Sequence, residues 1–199
     1  MAMYSFRHLL IIFTFFIIPI LWAFNLKKSN KILNYSLIML FFLEMFRVVY
    51  LIITGDFKLN SDLSFQLCFS YSFIGLIYLF TKKKFILNYL GPFGILFGLA
   101  AIFLMDPNPF LSFTVIDCYL YHSILLFVGV YIIKHYRPQF SYKSIFIFWF
   151  QILLAFIANS IIKHGSNYVF LNTFLNPSHK MSYTANIEAF NIPFLMDYL

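Results

Sequence analysis

Two thiols, one deep histidine and a few carboxyl and carboxamide groups stand inside an otherwise apolar chain. Gln66 and Cys68 lie in SFQLCFSYSF, and Asp117, Cys118 and His122 lie in VIDCYLYHS. Glu44 and Arg47 share FLEMFR, and Asn159 stands in IANS. A thiol attacks as its thiolate, and apolar surroundings disfavour that form, so a nucleophilic Cys68 needs a base within hydrogen-bond reach. His122 lies deepest in an apolar run among the five histidines, and a Cys–His pair is an activated-nucleophile arrangement. Glu44 or Asp117 would orient the imidazole. Gln66 or Asn159 would donate to a developing oxyanion. The chemistry such a set could do is acyl transfer through a thioester. Gln66 and Cys68 are about 200° apart on a helix, which counts against Gln66 and for Cys68 with His122. Cys118 is a thiol beside Asp117 with nothing further to single it out.

The elements that must position these groups follow from composition. The chain of 199 residues is 62% hydrophobic and only 11% charged, whereas soluble domains are roughly 45–50% apolar and about 25% charged. It reads as an all-α polytopic membrane bundle in a single domain. Six stretches have the length of a span: about 8–24, 32–53, 62–80, 85–105, 112–134 and 143–163. They are expected to be helices, because an isolated lipid-facing strand cannot satisfy its backbone. The first lacks a signal-peptide cleavage site and counts as a span. Residues 164–199 are more polar, are broken by Pro177 and Pro193, and are expected to form an extracytoplasmic or partly re-entrant tail.

Charge orients the bundle. Lys27, Lys28, Lys31, Lys82, Lys83, Lys84, Lys134, Arg137 and Lys143 fall in the loops of one side. Arg7, Lys58, Lys163 and Lys180 fall on the other. The positive-inside rule then predicts an N-terminus outside and a multi-pass protein of the cytoplasmic membrane. The basic residues belong to short loops, so nucleic acid is not an expected partner. Both cysteines lie in apolar runs without metal-ligand spacing, and neither a metal nor another cofactor is expected.

With this orientation Glu44, Arg47, Gln66, Cys68, Asp117, His122 and Asn159 all fall about 6 to 15 Å below the outer end of their spans. Singly, each has a structural explanation. Glu44 and Arg47 at i, i+3 neutralise each other, and Asn159 and Gln66 serve as helix–helix glue. Together, so many polar groups at one depth predict a shared polar pocket in the outer half of the bilayer.

The order of these features resembles the YwaF-like family of bacterial integral membrane proteins. Gln66–Cys68 resembles the end of its P-L-[HQ]-L-C motif, with Leu63-Ser64-Phe65 preceding it here. Gly94, Gly98 and Asp106-Pro107 resemble its glycine-rich span and the turn after it. YHSILL resembles its histidine-bearing fifth span, HYRPQFSYKS its Y-R-P-[ST] loop, and GSNYVFL its [GS]-[GS]-N-Y-M-F-L motif. Glu44 matches an acidic position in its second span. That family is similar to the eukaryotic transmembrane-protein-164 family. The resemblance implies movement of a fatty acyl chain between phospholipids by a cysteine nucleophile with a histidine partner, Cys68 and His122 here. Asn167 and Tyr168 would stand at the outer mouth, capping the pocket or binding a headgroup. The family continues into a seventh span, which residues 172–199 do not clearly supply.

The leading expectation is therefore a lipid acyltransferase or acyl hydrolase with a phospholipid or lysophospholipid substrate. The alternatives are a non-catalytic binding protein or transporter that takes a small polar solute into the same pocket, and an inactive, truncated family member.

Overall fold

The computed structural model describes residues 6–58, 62, 66–104, 113–139 and 141–162. These form helices and short connections, with no strand among them. The first helical segment is α1 (Phe6–Ile12), a π-helical turn (Phe13–Ile17) and α2 (Ile18–Asn25). Residues on both sides of the π turn keep right-handed helical dihedrals, so the three pieces form one rod. Pro19 explains the wide turn: it has no N–H for the carbonyl four residues back, and its ring crowds that carbonyl. Next come α3 (Asn30–Thr54), α4 (Leu67–Thr81), α5 (Lys84–Leu104), α6 (Phe113–Tyr136) and α7 (Tyr142–Ile162).

Five of the six expected spans coincide with these helices to within a few residues. The third begins late, at Leu67 instead of about Asp62, because Asp62 is committed to the α3–α4 connection. Its carboxylate accepts the Lys58 N–H at 2.7 Å, and its N–H donates to the Lys58 carbonyl at 2.9 Å. The expected tail, with Asn167 and Tyr168, lies outside the described residues.

The molecule is a membrane helical bundle. α3, α6 and α7 are each long and apolar enough to cross a membrane, while Leu9–Asn25, α4 and Lys84–Ala100 are shorter apolar helices. α6 is the central helix. Within its most apolar stretch 72% of residues are buried, against 28% for α3 and for α7. This is why α6 can carry Asp117, His122 and Ser123 without presenting them to lipid. Phe42, Phe46, Phe146 and Trp149 on α3 and α7 face outward instead.

The seam between α5 and α6 is made by close backbone approach. A Cβ on Gly129 of α6 would stand 2.6 Å from the Ile95 nitrogen, and one on Gly98 of α5 would stand 3.0 Å from the Leu126 Cα. A Cβ on Gly94 would meet the Tyr71 hydroxyl at 2.7 Å. In a membrane, where lipid is as apolar as leucine, small residues at such crossings let helices gain dispersion contact. Tyr71 of α4 reaches over this gap, and its hydroxyl donates to the Leu90 carbonyl at 2.7 Å.

The lysine-rich end is pinned by α6. The Tyr131 hydroxyl accepts the Ser29 N–H at 2.6 Å and donates to the Lys27 carbonyl at 3.0 Å. Lys134 donates from Nζ to the Phe24 carbonyl, and Tyr136 donates to Asn30 Oδ1 at 2.6 Å. The loop between α2 and α3 is thus tied to the end of the central helix.

Candidate functional site

The opposite end of the bundle joins α3, the start of α4 and the first half of α6. On α3, Glu44 and Arg47 form the ion pair their spacing predicts, with Nε to Oε2 at 3.2 Å and Nη2 to Oε1 at 3.0 Å. Glu44 is wholly buried and Arg47 nearly so. The same Nη2 donates to the Asp62 carbonyl at 3.1 Å, and the guanidinium lies 4.3 Å from the centre of the Phe69 ring. Asp117 of α6 is buried within electrostatic reach of Arg47. One guanidinium therefore links α3, the α3–α4 connection, the first turn of α4 and α6. A lone charge here would be costly, and the pair is held because both partners are hydrogen-bonded.

Cys68 is the second residue of α4 and half-buried. The N–H groups of a first helical turn have no intrahelical acceptor, and Cys68 belongs to the first turn of α4. That end of a helix favours negative charge, whereas the apolar surroundings of a thiol disfavour its thiolate. The Cys68 turn packs directly on the middle of α6. The Tyr121 hydroxyl donates to the Cys68 carbonyl at 2.7 Å, and the Phe69 and His122 rings lie 6.3 Å apart.

His122 is buried, and its tautomer follows from its neighbour. Nδ1 lies 2.8 Å from the Cys118 carbonyl oxygen. A carbonyl only accepts, so Nδ1 carries the hydrogen. In the neutral ring Nε2 then holds the free lone pair. The Cys118 sulfur lies 3.6 Å from the same Nδ1. Nδ1 is thus engaged by Cys118, which leaves Nε2 as the free nitrogen of the ring.

The structure places Glu44, Arg47, Cys68, Asp117 and His122 at this end of the bundle, but among the described residues His122 pairs with Cys118 and makes no hydrogen bond to Cys68. Gln66 precedes α4 instead of lying on it; its extended backbone (φ −64°, ψ 142°) leads into the helix. Asn159 is buried on α7. The polar link of α7 to α4 is carried by Gln151, whose Nε2 donates to Ser70 Oγ at 2.6 Å while its Oε1 accepts from the Tyr89 hydroxyl.

A model of the TMEM164 family matches residues 3–193. The chain belongs to the TMEM164 family. No curated protein and no solved structure matches it. In this TMEM164-family chain two residues that contact His122 and Cys68 were given no role in the sequence reading. Cys118 touches the histidine, and its spacing of four from His122 on one helix was a visible signal. Tyr121 holds the backbone of Cys68 across a helix interface, and no sequence period carries that register. Among the described residues no cluster of three or more His, Cys, Asp or Glu could hold a metal ion.

Proposed function

We propose that this protein is a membrane-embedded phospholipid acyltransferase or acyl hydrolase of the bacterial, YwaF-like branch of its family, with Cys68 as nucleophile and His122 as base. The observation that carries the reading is the position of Cys68 in the first turn of α4, a turn that packs against Tyr121 and His122. The six apolar helices are read as six spans with the N-terminus outside, as the lysine-rich loops favour. α4 supports the depth. Cys68 lies about 21 Å along the helix from Lys82, so with Lys82 at the inner boundary of a roughly 30 Å core the thiol sits about 9 Å below the outer one. A diacyl lipid would reach that depth sideways, carbonyls first.

The steps balance without a cofactor. His122 Nε2 takes the thiol proton as the Cys68 sulfur attacks the acyl carbonyl carbon. The free N–H groups of the first turn of α4 are the nearest backbone donors to the oxygen on which negative charge grows. The carbon–oxygen ester bond breaks, the lysolipid alkoxide takes the proton from His122, and a thioester remains. An acceptor hydroxyl, or water, then gives its proton to Nε2 and attacks the thioester, and the Cys68 thiolate leaves and is reprotonated. The Nδ1–H bond to the Cys118 carbonyl keeps Nε2 as the working nitrogen throughout.

Membranes containing the protein, incubated with an alkyne-tagged fatty-acyl phospholipid, are expected to give hydroxylamine-sensitive label on the chain. Cys68→Ala should abolish it and Cys118→Ala should retain it. The contact between Cys118 and His122 favours one rival assignment, in which Cys118 is the acylated thiol; the opposite pattern of label would establish it. Label retained in both single variants would overturn the acyl-thioester reading.

A further inference from the structure

The α6–α7 connection at the lysine-rich end is short, tied down and strained. Arg137 has φ 45°, in the left-handed region, which a non-glycine residue rarely adopts and which such strain tends to mark as functional. It is also followed by Pro138. The strain is held by two anchors on α5. Pro138 sits where only glycine admits it, since a Cβ on Gly91 would stand 2.9 Å from Pro138 Cγ. One residue on, the Gln139 N–H donates to Asn88 Oδ1 at 3.1 Å. Between these anchors lies a groove of about 380 Å³ lined by Pro92, Ile133, Arg137 and Pro138.

The groove is apolar apart from the cation at its rim. Among the described residues none makes a hydrogen bond, ion pair or ring contact with the Arg137 guanidinium. By contrast Lys28, Lys82 and Lys134 each rest on a ring or an oxygen. Lys84 and Lys143 stand at the same end, and the loops there contain no Asp or Glu. An exposed guanidinium above an apolar slot, in an all-positive field, is complementary to a phosphodiester carried on an acyl chain. Cys68 is too far away to share this site, at the other end of α4 by about 20 Å.

We propose that the α5–α6 groove binds one anionic phospholipid, its phosphate on Arg137 and an acyl chain along Pro92 and Ile133. The site differs from the acyl-transfer centre and does not depend on it. The backbone around Arg137 is already held by the two anchors on α5, so little backbone ordering is left to do on binding.

Native mass spectrometry of the purified, delipidated full chain tests this, using phosphatidylglycerol and phosphatidylcholine with the same acyl chains. The wild type should retain one phosphatidylglycerol with about tenfold preference, because phosphatidylcholine offers Arg137 the same phosphodiester but brings a choline cation into a field that is already positive. Arg137→Asn should erase the preference, and asparagine is chosen because it tolerates the left-handed conformation. Ile133→Trp should fill the slot and lose retention while leaving the arginine in place. Lys31→Gln, a charge change on α3, should leave the preference intact. Equal retention of the two lipids, unchanged behaviour of Arg137→Asn, or an equal loss in Lys31→Gln would each overturn the site. Displacement by inorganic phosphate at the lipid's own concentration would overturn it too, because the acyl chain would then contribute nothing.

Discussion

The α5–α6 seam and the α3–α4–α6 face hold the same bundle together by opposite means. The seam is backbone against backbone, with glycines where a side chain would collide. The face is side chain against side chain, with a buried ion pair, a tyrosine bridging to a carbonyl and a histidine oriented by a neighbouring turn. A seam of this kind has nothing to titrate and nothing to transfer. The polar face carries the ionisable groups, and it can hold them because the seam already fixes the central helix. The difference separates residues that make the fold from residues that the fold presents.

The largest expected effect on stability lies, counter-intuitively, on the polar face. Glu44→Ala leaves Arg47 buried without its main partner and should destabilise by about 3 kcal/mol, the low end for a broken buried pair, since the Asp62 carbonyl and Asp117 stay within reach. Thermal unfolding in detergent measures it. The double variant Glu44→Ala, Arg47→Ala should be less destabilised than the single one; if it is worse, the pair contributes more than mutual neutralisation. Next, Gly129→Ala should destabilise by about 2 kcal/mol through overpacking against α5, while any residual folded protein keeps its acyl label. Loss of label ahead of loss of folded protein would mean that the seam also tunes the site.

Cys68→Ala sharpens the contrast from the other side. It should change stability by no more than about 1 kcal/mol and remove the acyl label altogether. A melting temperature that falls with the label would assign Cys68 to the packing. The smallest effect belongs to Tyr121→Phe, which removes a hydroxyl shared between the Cys68 and Phe69 carbonyls, worth about 0.6 kcal/mol in a membrane. It should slow label formation while leaving unfolding almost unchanged. Unaltered labelling kinetics would make Tyr121 a strut only.

Much of the seam's setting and part of the face were legible in the sequence. α3 is bounded as its residues suggest, by Ser29 before it and by Gly55 after it in the left-handed conformation (φ 76°). Contacts within one helix could be read from spacing: Glu44 with Arg47 at three residues, and Cys118 with His122 at four. The second pair was passed over because Cys118 had no role to attract attention. Contacts between helices were not legible, since periodicity gives a helix its faces but not its sliding register against a neighbour. Gly129 shows this. The glycines of α5 stand out as a pattern, but nothing in α6 announces that one glycine must lie opposite them. The late start of α4 was missed for a different reason. Asp62 looks like the polar beginning of a span, and its carboxylate is spent on the loop instead.

The π turn in the first rod also has a consequence for what the gene tolerates. Ile11 and Phe16 both face the core, though residues five apart on a regular α-helix point about 140° away from each other. The wide turn absorbs the surplus residue and brings the two stretches back into phase. The rod therefore has a built-in direction of tolerance. Losing one residue between Phe13 and Ile17 leaves a spacing that an ordinary helix keeps in phase, whereas gaining one swings either the upper or the lower stretch into lipid. Length variation in this segment should run toward shortening.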